Sequence, residues 1–295
     1  MSDTTANLRR KIKSGGDLQT VVRNMKTLSA ASIGQYEKAV ESLEDYHHAL
    51  SLGLHVCLEL GEFKSKVKLR PTNNPQHILA IVFGSDQGLV GRFNDVVADF
   101  AIKSFKTMKS SPKIFAIGKR LEERLVSDQL KLTESFDVPD CIAGVTSLAG
   151  QILLACEKFL ASDEDAEMHL FFNSPEPGAG YICTSQRLLP LDDLWRQKFL
   201  KVSWPSKMRP EILGSLEVTL RALIREYLFV SIFRACAHSL AAENASRLAA
   251  MQRADKNIED LLKSLNVKFH RLRQGLIDEE LFDVIAGCEA LTADR

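Results

Sequence analysis

The sequence predicts an α/β protein: a long antiparallel coiled coil made by its two terminal helices, with a small doubly wound α/β domain between them. Three observations carry this. Neither Leu8–Leu60 nor Glu211–Leu291 contains a proline. In both stretches apolar residues recur at alternating steps of three and four, the mark of one narrow helical seam. Between them, short apolar runs alternate with helical stretches, as in β-α units.

The first helix carries its seam at Ile33, Tyr36, Val40, Leu43, His47, Leu50, Leu54 and Cys57. Upstream, Leu18, Val21 or Val22, Met25, and Leu28 or Ser29 continue that face. Gly15-Gly16 is a weak point, because an interior glycine costs about 1 kcal/mol relative to alanine, and a kink or break is expected there. The middle segment reads as strand His77–Phe83, helix Phe93–Met108, strand Lys113–Ile117, helix Lys119–Asp128 and strand Leu130–Val138. Helix Val145–Leu160 follows, then strands Ala166–Asn173 and Tyr181–Leu189 joined by the turn-rich Ser174–Gly178. Asp192 to Arg209 reads as a loop. The boundaries expected are 1–69 for the first coiled-coil helix, 70–209 for a Rossmann-like α/β domain, and 210–295 for the second coiled-coil helix.

That second helix is expected to open just after Pro210, since proline suits a first helical turn. Its stripe runs through Leu248, Met251, Ala254, Ile258, Leu262, Leu265, Phe269, Leu272 and Leu276, and on through Ile277, Leu281, Val284 or Ile285, Cys288 and Leu291. At about 1.5 Å per residue it would reach roughly 120 Å, too long for anything but a shaft, a bridge or a coiled coil. From Ala222 to Ala242 it is apolar nearly all round and should be covered on several sides. The unequal lengths of the two helices leave part of the second projecting alone.

Composition narrows the function classes. Lysine plus arginine and aspartate plus glutamate number 38 each, so no net field points to nucleic acid or acidic lipid. The basic cluster Arg9–Lys13 reads as a solvated or protein-facing first turn. Six cysteines are scattered without a C-x-x-C pair, and they read as reduced thiols. The first residues lack the apolar core of a secretion signal. The most apolar run, Tyr227 to Ala242, is interrupted by Arg234, so no membrane span is expected. His47, His48 and His55 form no i, i+4 pair, and no metal site or nucleophile motif is expected.

One stretch sits where open α/β sheets bind ligands, after a strand and before a helix: Gly84-Ser85-Asp86-Gln87-Gly88-Leu89-Val90-Gly91-Arg92-Phe93-Asn94. Its glycine spacing matches neither G-x-G-x-x-G nor the P-loop. Two readings stand: a tight turn offering backbone to a partner, with Asp86, Gly88, Gly91 and Asn94 as its key residues, or a phosphate site.

The ensemble resembles the gamma subunit of F-type ATP synthases over essentially the full chain. The resemblance rests on Leu8–Ile12 and Val22–Leu28 near the start, and on Ser85–Asn94, which is similar to the family's S-D-x-G-L-C-G-x-x-N turn. It rests also on Glu243, Ser246–Gln252, Ala254-Asp255, Asn257, Arg273-Gln274, Glu280-Leu281 and Ile285–Gly287. It implies a rotor shaft without catalytic residues or cofactors, coupling ion flow to ATP synthesis or hydrolysis on the beta subunits. The implied partners are the alpha and beta subunits, the epsilon subunit and the membrane c ring, on the cytoplasmic face of a bacterial inner membrane. Carried over by position, Arg273 and Gln274 match a polar pair that hydrogen-bonds a beta loop. Arg247 matches an arginine facing an acidic beta segment, and Met25-Lys26 match a pair near the lower beta loops. Asp278 stands where a threonine touching the same beta loop is common. Val90 in place of a cysteine, Gly15-Gly16 and Asp278 resemble a divergent type similar to the alternate F-type ATPases (N-ATPases), with the ion, proton or sodium, chosen in the c ring and not in this chain. The rival reading is a nucleotide-binding α/β protein with coiled-coil dimerisation arms, and a third is a coiled-coil adaptor.

Overall fold

The computed structural model describes residues 4–60, 78–108, 112–162, 166–176, 180–208 and 210–293. The expected boundary at Arg70-Pro71, His77 at the head of the first strand, Pro177-Gly178 and Arg209 lie outside the described residues, as do the side chains at Cys288 and Leu291. The chain divides into two compact units, one from the described parts of Met1–Leu28 and Leu248–Arg295, the other from Ser29–Arg247. Helices α1 (Thr5–Leu60) and α6 (Leu216–Ala293) each contribute to both.

In the first unit the two helices pair antiparallel. Gln19 meets Asp255, while Gly15, earlier on α1, meets Leu262, later on α6. Val22, Met251 and Ile258 are buried between them, with Met25, Ala254 and Leu262 packed alongside. Val22 and Ser29 therefore take the seam positions, while Val21 and Leu28 face outward. Leu18, expected in the seam, is 54% exposed. It lines a groove of about 450 Å³ with Arg10, Lys11, Ser14, Gly15, Leu261 and Leu265. The α-helix continues through Gly15-Gly16 without a break, because the missing side chain at Gly15 is the space Leu262 fills. Carrying the Gly15–Leu262 pairing back to Thr5 reaches Leu272, the last half-buried stripe position. From Arg273 through Ala286 every residue is exposed.

The second unit is built on a five-stranded sheet in the order β3-β2-β1-β4-β5. The strands are β1 (Ile78–Phe83), β2 (Lys113–Ile117), β3 (Leu132–Phe136), β4 (Glu167–Glu176) and β5 (Gly180–Leu189). β1, β2, β3 and β4 are parallel to their neighbours, and β5 returns antiparallel along β4. β1 reads as an unbroken apolar run because both of its faces are covered. Ala80 and Val82 face α2 (Phe93–Thr107) and α3 (Lys119–Ser127) through Val97, Ala101, Leu121 and Leu125. Leu79, Ile81 and Phe83 join the larger core with α4 (Ile142–Ser162), α6 and α1, through Ile152, Cys156, Ile232, Cys236, Leu54 and Cys57. All eight predicted seam positions of α1 from Ile33 to Cys57 are buried or half-buried. From Tyr227 to Arg247, α6 is covered almost all round, as its apolar girdle requires.

Four further expectations are corrected. α6 begins at Leu216, not after Pro210, because Gly214 turns the backbone into the left-handed region at φ 103°. Ser174, Pro175 and Glu176 belong to β4 and pair with Ile182, Tyr181 and Gly180. The loop Asp192–Arg209 contains a helix, α5 (Asp193–Leu200), started by the Asp192 carboxylate accepting from Trp195 N at 2.8 Å. Among the described residues, the one helix long and apolar enough to cross a membrane is α4, with mean hydropathy 1.2 over Ile142–Ala161, and its Val145, Ala149, Ile152 and Cys156 are core residues.

Candidate functional site: a filled crevice and a projecting helix

In an open α/β sheet ligands bind outside the carboxyl ends of the strands, where the strand order reverses. Here that point lies between β1 and β4, and the turn Gly84–Asn94 covers it. The turn is held by its own side chains. Asn94 Oδ1 accepts from Ser85 N at 3.0 Å, and Asn94 Nδ2 donates to Ser85 Oγ at 2.8 Å. Asp86 spends both carboxylate oxygens on backbone, Oδ1 on Lys119 N at the head of α3 and Oδ2 on Val138 N, each at 2.9 Å. Gly84 and Gly118 make this bracing possible: a Cβ on Gly84 would lie 2.4 Å from Leu121 Cβ. Gly118, at φ 105°, brings its backbone against that of Ser85.

The crevice itself is filled. Phe93 and Asn173 are fully buried, and Asn173 Nδ2 donates to Phe93 O at 3.2 Å. Val90 and Phe93 pack on Ala242 of α6, and Ser246 Oγ donates to Val90 O at 2.6 Å. Asp95, in the first turn of α2, adds a negative charge at that helix's start, and Arg124 is already committed to Asp95, Asp99 and Asp128. The arrangement presents a rigid turn with Gln87, Leu89, Gly91 and Arg92 outward. Leu89 is 61% exposed and held at φ 64°, an outlier for a branched residue.

Arg247 is buried rather than facing out. Its Nη2 donates to Glu243 Oε1 at 2.6 Å, one helical turn back, while Arg247 Nε and Glu243 Oε2 have no partner. Burial raises the Glu243 carboxyl above its ordinary range by more than the adjacent guanidinium lowers it. Burial and the Glu243 carboxylate together push the Tyr36 phenol on α1 up to about 12. Met25 packs in the coiled-coil core, and Lys26, half-buried, lies within electrostatic reach of Asp255. Arg273, Gln274 and Asp278 stand in the open on the projecting part of α6.

The residues that sequence reasoning missed are those that tie elements together: Asn173, Ser246 as a donor to Val90, and the Gln19–Asp255–Arg23 cluster. Only the last has a sequence signal, an acidic residue beside a seam facing polar residues beside the other seam. Three of the described thiols are held protonated by burial, Cys156 and Cys236 pushed up to about 12 and Cys183 up to about 11.

A family model described as ATP synthase matches residues 4–291, and curated relatives matched end to end are named ATP synthase gamma chain. The chain belongs to the ATP synthase gamma family. The gamma chain of Hyphomonas neptunium is 27% identical over 294 residues, covering 97% of this chain and 98% of the relative. That of Nautilia profundicola is 28% identical over 303 residues, covering 98% and 99%. Among solved structures, a chain of the Tetrahymena thermophila mitochondrial ATP synthase central stalk and c ring is 22% identical with a TM-score of 0.56, covering 79% of this chain and 99% of that one. A chain of the Euglena gracilis mitochondrial OSCP/F1/c-ring assembly is 14% identical with a TM-score of 0.64, covering 98% and 95%. These likenesses show the gamma fold, long terminal helices around a mixed sheet.

Proposed function

We propose that this chain is the rotating central shaft of an F-type ATP synthase or ATPase, turning within a ring of alpha and beta subunits and standing on an epsilon subunit and a membrane ring of c subunits. Ion flow through the ring would then drive ATP synthesis on the beta subunits, or hydrolysis there would drive pumping, at the cytoplasmic face of a bacterial inner membrane. The observation that carries this reading is the full-length family match joined to a helix that outruns its partner at Leu272. A shaft couples to its stator only through differential contact, because an asymmetric surface must stabilise one beta conformation over another at each angle. The proposed contact residues are Arg273, Gln274 and Asp278 on the projecting end, with Met25 and Lys26 on α1; Arg247, buried against Glu243, presents no such surface in the free chain. The filled crevice supports a chain without catalytic residues of its own.

Reconstitution tests this. The full chain alone should hydrolyse no ATP, and adding it to cognate alpha and beta subunits should produce strong ATPase activity; absence of stimulation would sink the proposal. In the assembled complex, Arg273→Ala with Gln274→Ala should lower ATPase activity or coupling, and unchanged activity would remove that pair from the contact set.

A further inference from the structure

The charge balance of the whole chain hides a local excess. Between Asp193 and Glu211 the sequence has no acidic residue. Within that span Lys198, on α5, and Lys201 and Lys207, on the connection from α5 to α6, are exposed. None of the three is ion-paired among the described residues. Acidic groups at the margins are engaged: Asp192 caps α5 and pairs with Arg187, and Glu217 pairs with Arg221. The same connection turns apolar side chains outward. Ile212 and Leu216 pack on the core, but Leu213 between them is 93% exposed, where Gly214 turns the backbone. Met208 is 80% exposed, its N–H donating to Ser206 Oγ at 3.2 Å, and Trp204 is half-buried beside it in the chain. The base is firm, because Phe199 is buried and both it and Trp195 pack edge to face on Tyr227 of α6.

We propose that Lys198, Lys201 and Lys207, with Trp204, Met208 and Leu213, dock the free chain on an anionic membrane surface. An ammonium binds phosphate as a point charge, without a fixed geometry, which suits a fluid layer of headgroups. Trp204, Met208 and Leu213 supply short apolar tips for the boundary between headgroups and acyl chains. A hydrated acidic protein surface would satisfy the lysines but leave Met208 and Leu213 in water. A nucleic acid is read through arginine forks and stacked rings, and the exposed cations here are lysines. The patch lies wholly within the second unit and is independent of the rotor reading. It is also distinct from the projecting end of α6, where Asp278, Glu279, Glu280 and Asp283 disfavour an anionic leaflet. Docking by this patch brings a newly made copy to the membrane by attraction alone, before any partner is met.

Flotation of the purified full chain with vesicles tests this. Vesicles of equal parts phosphatidylglycerol and phosphatidylcholine should carry the chain, phosphatidylcholine alone should carry far less, and the difference should shrink as salt rises. Each lysine near such a surface strengthens binding about fivefold, so Lys198→Gln with Lys201→Gln and Lys207→Gln should weaken it about 100-fold. Met208→Ser with Leu213→Ser should weaken it as well. All five side chains are exposed, so these substitutions leave the core untouched. Equal binding to the two kinds of vesicle, or undiminished binding by the lysine variant, overturns the proposal. Lysine-dependent binding that the Met208 and Leu213 changes leave intact points to an acidic protein surface instead, and overturns it too.

Discussion

A buried ion pair costs most when only half of it is removed. Arg247→Ala leaves the Glu243 carboxylate in a dry setting and should destabilise the chain by about 3–5 kcal/mol, read from denaturant unfolding. Replacing both, with Glu243→Leu and Arg247→Met, should recover most of that loss. The two adjacent glycines of α1 should separate in the same assay. Gly16 has open space where a Cβ would go, so Gly16→Ala should stabilise by about 0.5–1 kcal/mol. Gly15→Leu should cost about 1–3 kcal/mol by displacing Leu262. Neither was legible from sequence, where Gly15-Gly16 reads as one weak point and Arg247 as an arginine facing a partner. Burial is a tertiary property, and the same spacing serves a wet face and a dry one.

At the level of elements, period and punctuation carried most of the information. β2 spans the predicted Lys113–Ile117, and the other strands and helices differ from expectation mainly at their ends. The misses have physical causes. α5 has only two turns and lies among polar and aromatic residues without a visible period, so its start signal, Asp192 before Trp195, was hidden in apparent loop composition. Asp192→Ala removes both that cap and the ion pair with Arg187. It should cost about 1 kcal/mol and loosen the packing of Trp195 on Phe199 and Tyr227, seen as a shift of indole emission in a Trp204→Phe background. Pro175 reads as a turn residue, yet it pairs at the far end of a two-strand ribbon, where ladder bonds are few.

For the molecule as a whole, helix lengths, the middle domain and the family were legible because long periods and a spread of matched positions survive divergence. What fills the strand-end crevice was not, since Ala242 and Ser246 come from a helix far along the chain. Stability against pH is a property of the same scale. Burial lowers His47 and His238 below the ordinary 6.5, with the charges of Arg234, and for His47 also Lys198, adding to it. The unfolded chain therefore binds more protons, and stability should fall as pH drops from about 6.5 toward the lowered values. Glu243, raised by burial above its ordinary 4.5, acts with the opposite sign. Unfolding midpoints at pH 7.5 and 5.5 should differ less in His238→Gln than in the parent chain. The open end of α6 has a further consequence for the life of the protein in a cell. Ile277, Leu281, Phe282, Val284 and Ile285 together form the kind of greasy surface that chaperones and proteases recognise on incomplete proteins. A copy left without a partner to cover that end would be open to clearance.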